Sequence, residues 1–211
     1  ENWSLVAAST FEGIGDVGTI TFDPSNSSTI YVGTALGIYK STDGGAAWTA
    51  LPHPNSSFKK VVAIVVNPYN SHVYCMIGGY SNQYDRFYYS ENGGQTWING
   101  STNLGNQFAC VSMAIHPLSG KLYAASQLGM MGAPNAVASW DGSTWTHLSS
   151  PTASYPVNDM VLDITVTPPV IYVSAGHAYY GGGGLWSSSD EGTSWTTLHS
   201  GFPSNYLYPL M

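Results

Sequence analysis

Charge is what this chain has least of. Five Lys and Arg residues and twelve Asp and Glu residues leave 8% of its 211 residues charged, with a net charge of -7. A typical soluble domain carries about a quarter. Arg86 is the single arginine. So few cations argue against nucleic acid or an anionic membrane as a partner. Cysteine is as sparse, and Cys75 and Cys110 alone cannot build a disulfide framework. No apolar run approaches the ~20 residues of a membrane-spanning helix. The longest clear one, Val61–Val66, reads as a buried strand, and no segment repeats its apolar residues at the helical period.

What the chain does have is a repeat. Four short patterns recur: Ser41-Thr-Asp43-Gly-Gly-Ala-Ala-Trp48, Ser90-Glu-Asn92-Gly-Gly-Gln-Thr-Trp97, Ser139-Trp-Asp141-Gly-Ser-Thr-Trp145 and Ser188-Ser-Asp190-Glu-Gly-Thr-Ser-Trp195. Their tryptophans lie 49, 48 and 50 residues apart. Before each comes an alternating apolar stretch that ends at a proline: Thr19–Pro24, Ala63–Pro68, Met113–Pro117 and Ile164–Pro168. A second strand follows with tyrosine at a fixed place (Tyr31, Tyr74, Tyr123, Tyr172), then a loop of variable length and a third strand such as Arg86–Tyr89. Period-two alternation with Gly, Pro, Asn and Asp punctuation marks short antiparallel strands. A strand-rich repeat of this length predicts an all-β propeller of four four-stranded blades. The expected blades are about 14–53, 59–101, 108–149 and 158–199 within one domain spanning 1–211.

Each recurrent turn has a local reason to exist. An Asp or Asn side chain accepts backbone N–H bonds a few residues on and closes the turn, and glycine supplies a positive φ. Tryptophan returns the chain to the sheet and can seal the gap to the next blade. Asp43, Asn92, Asp141 and Asp190, with Trp48, Trp97, Trp145 and Trp195, therefore read as structural residues. These motifs closely resemble the Asp-box, also called the BNR or sialidase-type repeat, over about residues 18–198. Asn92 replaces the aspartate in the second copy, and the third is one residue short. The resemblance implies a propeller of a superfamily that includes sialidases, xyloglucan-cleaving glycoside hydrolases, sortilin-type receptors and photosystem assembly factors, so the fold does not choose the chemistry.

A surface with so little charge must be covered by Ser, Thr, Asn, Gly and Tyr, which suits an extracellular or cell-surface protein. Glycosylation sequons stand at Asn2, Asn26, Asn55 and Asn99. The chain begins at Glu1 rather than methionine, consistent with a processed or trimmed form. Cys75 and Cys110 fall on inner strands of adjacent blades, and two readings stand: a cross-blade disulfide or two buried thiols. Residues 1–13 and 200–211 look like spare end strands. They would either lock a closed four-bladed ring or pair with a neighbouring copy, giving filaments or surface arrays.

Length variation is concentrated in the loops joining second to third strands. Those loops carry Tyr80, Tyr84 and Arg86 in blade two and His177, Tyr179 and Tyr180 in blade four, which are the ligand-binding candidates for glycans or proteins. Enzyme chemistry finds less support. A sialidase resembling the family needs an arginine cluster, which one arginine cannot supply. A xyloglucan-cleaving relative needs two carboxylates across a cleft, and Asp16 and Asp159, both expected in blade-joining loops, are the weak candidates. The six histidines lack metal-ligand spacing, and no phosphate loop or nucleophile elbow is present. The residues thus predict no catalytic set, cofactor or metal, and point to a structural or adhesive module that associates with itself, glycans or surface proteins. The alternative is a glycoside hydrolase or carbohydrate-binding fragment of a larger propeller enzyme.

Overall fold

The computed structural model describes residues 15–55, 60–78, 86–105, 108–127, 136–149, 151, 156–176 and 183–198. Within them the apolar alternation folds into sixteen strands. Blade one comprises β1 (Val17–Asp23), β2 (Asn26–Thr34), β3 (Ile38–Ser41) and β4 (Thr49–Ala50). Blade two comprises β5 (Lys60–Val66), β6 (Val73–Gly78), β7 (Arg86–Ser90) and β8 (Ile98–Asn99). Blade three runs through β9 (Cys110–Ile115), β10 (Leu122–Ser126), β11 (Val137–Trp140) and β12 (Trp145–His147). Blade four has β13 (Val157–Asp163), β14 (Val170–Gly176), β15 (Gly183–Ser188) and β16 (Thr196–Thr197). Every sheet is antiparallel, with its four strands paired in chain order. The fourth strands are two or three residues long, which keeps each sheet's outer edge short and a poor template for aggregation.

The chain divides into two compact units, Glu1–Gly100 and Ser101–Met211, each holding two blades. In the first, Tyr31, Ile38 and Leu51 of blade one pack on Val61, Ile64, Val66, Val73 and Cys75 of blade two. In the second, Tyr123 and Val137, with Leu148 beside them, form one core with Val157, Met160, Ile171 and Val173. Each fully buried aliphatic side chain there contributes roughly 1.5–3 kcal/mol.

All four first strands share a feature the sequence pattern hides. A single residue is bulged out near each start: Gly18, Val62, Val111 and Asn158 each lie at a break in the ladder to the second strand. A bulge bends the strand and increases its twist, so the four blades enter their sheets in the same way.

Blade four corrects the expected register. Ile164–Pro168 is not the end of its first strand but part of the connection to β14, with Ile164 and Val166 each 46% exposed. The strand ends earlier because Asp163 Oδ1 accepts the N–H and hydroxyl of Thr165, at 2.9 and 2.6 Å. Asp23 does the same for Ser25 at the end of β1, at 2.9 and 2.6 Å. Pro168 therefore marks a longer turn, and Asp163 is the true counterpart of Asp23.

Candidate functional site

Three of the four recurrent turns close with the same hydrogen bonds. The hydroxyls of Ser41, Ser90 and Ser188 donate to Asp43, Asn92 and Asp190 Oδ1 at 2.8, 2.9 and 2.7 Å. The same hydroxyls accept the N–H of Gly45, Gly94 and Gly192 at 2.9, 2.8 and 2.8 Å. Oδ1 in turn accepts the N–H four residues on, from Ala47, Thr96 and Ser194, at 2.9 Å each. The shortened third copy closes more tightly, with Asp141 Oδ1 accepting from Ser143 N–H, Ser143 Oγ and Thr144 N–H. These bonds favour the ionised form. Asp43 and Asp141 are lowered chiefly by the N–H groups of Ala47 and Thr144, and Asp190 falls to about 2, chiefly through the Ser194 hydroxyl.

The tryptophans that follow serve the junctions between blades. Trp97 Nε1 donates to the Pro52 carbonyl at 2.9 Å, and Trp195 Nε1 to the Ser149 carbonyl at 2.7 Å. Both acceptors lie in the segment leaving the preceding blade. Trp48 instead donates to Gly45 O of its own turn at 2.9 Å, and Trp145 is buried beside Phe108.

The two weak catalytic candidates belong to different units and occupy different places in their blades. Asp16 is exposed just before β1 in the first unit, and its carbonyl accepts Ala35 N–H at 2.9 Å. Asp159 belongs to the second unit and lies inside β13, not in a blade-joining loop, because the strand ends at Asp163 rather than near Pro168. Its Oδ1 accepts Met160 N–H at 2.8 Å. Measured from the matched strand ends Asp23 and Asp163, the two aspartates stand at different register positions. Of the binding-loop candidates, Tyr80, Tyr84, His177, Tyr179 and Tyr180 lie outside the described residues, as do Asn2 and both expected end strands. Arg86 opens β7, half-buried and opposite Ile77.

The cysteines settle on one of their two readings, and the disulfide is corrected to a pair of buried thiols. Cys75 sits in the first unit's core, where burial pushes its thiol well up and leaves it unreactive. Among the sequons, Asn26 is exposed and its side chain closes the turn to Ser28 N–H at 3.1 Å. Asn55 is half-buried, and its amide nitrogen donates to Tyr88 OH at 2.8 Å. Asn99 is exposed on β8.

A groove that the sequence did not announce lies where the blade-one turn meets blade two. Lys40, Thr42, Asp43, Thr49, Leu51 and Gln95 line about 230 Å³. Lys40 Nζ stands 5.2 Å from the centre of the Tyr31 ring and 3.5 Å from Gly93 O. In the second unit Lys121 repeats the arrangement from a different sequence position, 5.7 Å from the Tyr123 ring centre and 2.9 Å from Glu191. Each lysine thus spans from the fixed tyrosine of one blade to the turn of the next, and no spacing rule would have paired Lys40 with Lys121. The groove offers an ammonium, a carboxylate, hydroxyls and an amide, without a nucleophile held by a base. Among the described residues no three His, Cys, Asp or Glu side chains converge on a metal-sized position.

No protein-family model matches the sequence, and no curated protein matches it. Solved structures do. An ancestral GH74 enzyme superposes with a TM-score of 0.69 at 20% identity, over 91% of this chain and 27% of its own. The GH74 xyloglucanase from Xanthomonas campestris superposes at 0.67 with 17% identity, over 86% and 30% of the two chains. YCF48 bound to D1 peptide superposes at 0.54 with 14% identity, over 85% and 52%. This chain spans under a third of the two GH74 enzymes. The likeness, with four antiparallel four-stranded sheets, makes this an all-β, propeller-type fold.

Proposed function

We propose that this chain is an Asp-box propeller module of the cell exterior or cell surface, with a structural or adhesive role rather than an enzymatic one. Its contacts are with copies of itself, glycans or surface proteins. The recurring Ser-to-Asp (or Asn) bonds and the +4 N–H bonds support the Asp-box assignment, because one local hydrogen-bond scheme accounts for three of the four motifs. The nearly uncharged, hydroxyl-rich composition supports the exterior setting.

The observation that carries the non-enzymatic reading is the use made of the carboxylates. Asp43, Asp141 and Asp190 close turns, Asp23 and Asp163 end strands, and Asp159 binds its own neighbour's N–H. A glycosidase needs two carboxylates free to face a substrate. The second reading, a carbohydrate-binding or hydrolytic fragment of a larger propeller enzyme, draws on the similarity to a GH74 xyloglucanase over 86% of this chain.

Incubation with xyloglucan and with sialylated glycans, followed by chromatography of released sugars, separates the two. The expected result is no release, together with large particles in light scattering and negative-stain microscopy. Sugar release that is lost in Asp16→Asn or Asp159→Asn would overturn the non-enzymatic reading.

A further inference from the structure

Each unit contains one lysine held over a tyrosine, and the two differ in what the next blade's turn offers the ammonium. In the second unit Lys121 Nζ lies 5.7 Å from the Tyr123 ring centre and 2.9 Å from the Glu191 carboxylate. In the first, Lys40 Nζ lies 5.2 Å from the Tyr31 ring centre and meets the Gly93 carbonyl at 3.5 Å, long for a hydrogen bond.

Gly93 and Glu191 hold the same position of the turn. Each directly follows the residue that accepts the serine hydroxyl, Asn92 at 2.9 Å and Asp190 at 2.7 Å. Each is also left-handed, with φ of +66° and +58°. Glycine adopts that conformation freely, whereas glutamate does so at a cost. The second unit thus accepts backbone strain at the place from which a carboxylate reaches its lysine. The first unit has the lysine, the tyrosine and the turn, but position 93 carries no side chain.

Beside Lys40 lies the groove of about 230 Å³, lined entirely from the first unit. Asp43 closes its turn through Oδ1, so Oδ2 can accept from a ligand hydroxyl. Thr42, Thr49 and Gln95 are exposed there and can each donate and accept. Lys40 and Asp43 share the groove without pairing, since among the described residues the ion pair is Lys121–Glu191.

We propose that this groove binds a single acidic sugar residue, a hexuronate, whose carboxylate meets Lys40 as Glu191 meets Lys121. The inference rests on the glycan-contacting part of the reading above and names the sugar class and its site. A charge-assisted bond from the ammonium anchors the carboxylate, and the ring hydroxyls meet Thr42, Thr49, Gln95 and Asp43. The volume lies below the roughly 300 Å³ at which pockets for drug-sized ligands begin, which suits one ring and not a longer saccharide. Asp43 limits the charge, because a second anionic group on the ligand would face its carboxylate.

NMR titration of the isotopically labelled full chain tests the assignment, with glucuronate, glucose and N-acetylglutamate α-amide as probes. Glucuronate should bind saturably and shift the amide signals of Thr42, Thr49 and Gln95. Glucose, which lacks the carboxylate, should bind at least about tenfold more weakly, the loss expected for one charge-assisted bond. Lys40→Met keeps an aliphatic stem over Tyr31 and should lose the same factor, with folding checked by circular dichroism. Gly93→Glu supplies a carboxylate from within the chain. It should bind glucuronate at least about tenfold more weakly than Gly93→Gln, which has the same length and no charge. Equal affinity for glucose and glucuronate, or equal binding by the two Gly93 variants, would overturn the carboxylate contact at Lys40. N-acetylglutamate α-amide binding as tightly as glucuronate would overturn the sugar and make an acidic protein side chain the ligand. No saturable binding would overturn the site and leave self-association standing, while the non-enzymatic reading fails separately, on sugar release.

Discussion

At the scale of single residues, the recurrent turns show what their acidic position requires. Asn92 serves as well as Asp43 because the turn uses one acceptor oxygen, and the Asn92 amide finds its own partner in Thr96 Oγ1 at 2.9 Å. Asp190→Asn should therefore melt within a degree or two of wild type, and Asp190→Ala about 2–4 °C lower, as calorimetry can check. Their acid responses should differ as well. Hydrogen bonds, chiefly from the Ser194 hydroxyl, hold Asp190 at about 2 against an ordinary 3.8. The folded state thus binds this proton less readily than the unfolded state. The contribution is complete above about pH 4 and is lost as pH falls through about 2. Asp190→Asn should lack that component, so its stability relative to wild type should rise as the pH is lowered from 5 to 2. A fixed difference across that range would place the acid sensitivity elsewhere.

At the scale of elements, the glycine four residues after the turn serine sits against the preceding blade in the second and fourth turns. Gly192 has φ +84° and an added Cβ would lie 2.6 Å from Leu148 Cδ1; Gly94, at φ +92°, would drive its Cβ into Leu51. Gly44 has a similar φ, +73°, but open space around it. Gly94→Ala and Gly192→Ala should therefore cost about 1–3 kcal/mol more than Gly44→Ala, which bears only the left-handed backbone. Urea unfolding measures the difference, and equal costs at all three would remove the packing argument. The same contrast explains what the sequence made legible. Turns built from Ser, Asp and Gly within five residues are local and can be read directly, as can the alternating strands they separate. The end of β13 was not, because Asp163 replaces the Asp-Pro and Asn-Pro signals of Asp23 and Asn67 while Pro168 falls later in the chain. Nor were the four bulges, because in runs such as Val61–Val66 every position is apolar, so the skipped step that puts Val61 and Ile64 in one core leaves no mark in the pattern. Asp159 was expected in a blade-joining loop for the same reason: it was placed by counting from a proline that does not end its strand.

At the scale of the whole molecule, the shortage of charge decides which forces operate between chains. Among the described residues the ion pair is Lys121–Glu191, with side chains 27% and 44% exposed. A pair so open to water contributes little. The melting temperature should accordingly move by less than about 2 °C between low salt and 1 M sodium chloride, where screening is nearly complete. Assembly should respond in the opposite sense to a charge-driven one. A chain with 8% charged residues associates chiefly through uncharged contacts, so sulfate should lower the concentration at which particles form. Sodium chloride should favour it modestly by screening the net charge of -7 that every copy carries. Light scattering in a salt series checks both statements at once. Particles that dissolve as salt is added would place the contact between copies on the few ionised side chains instead.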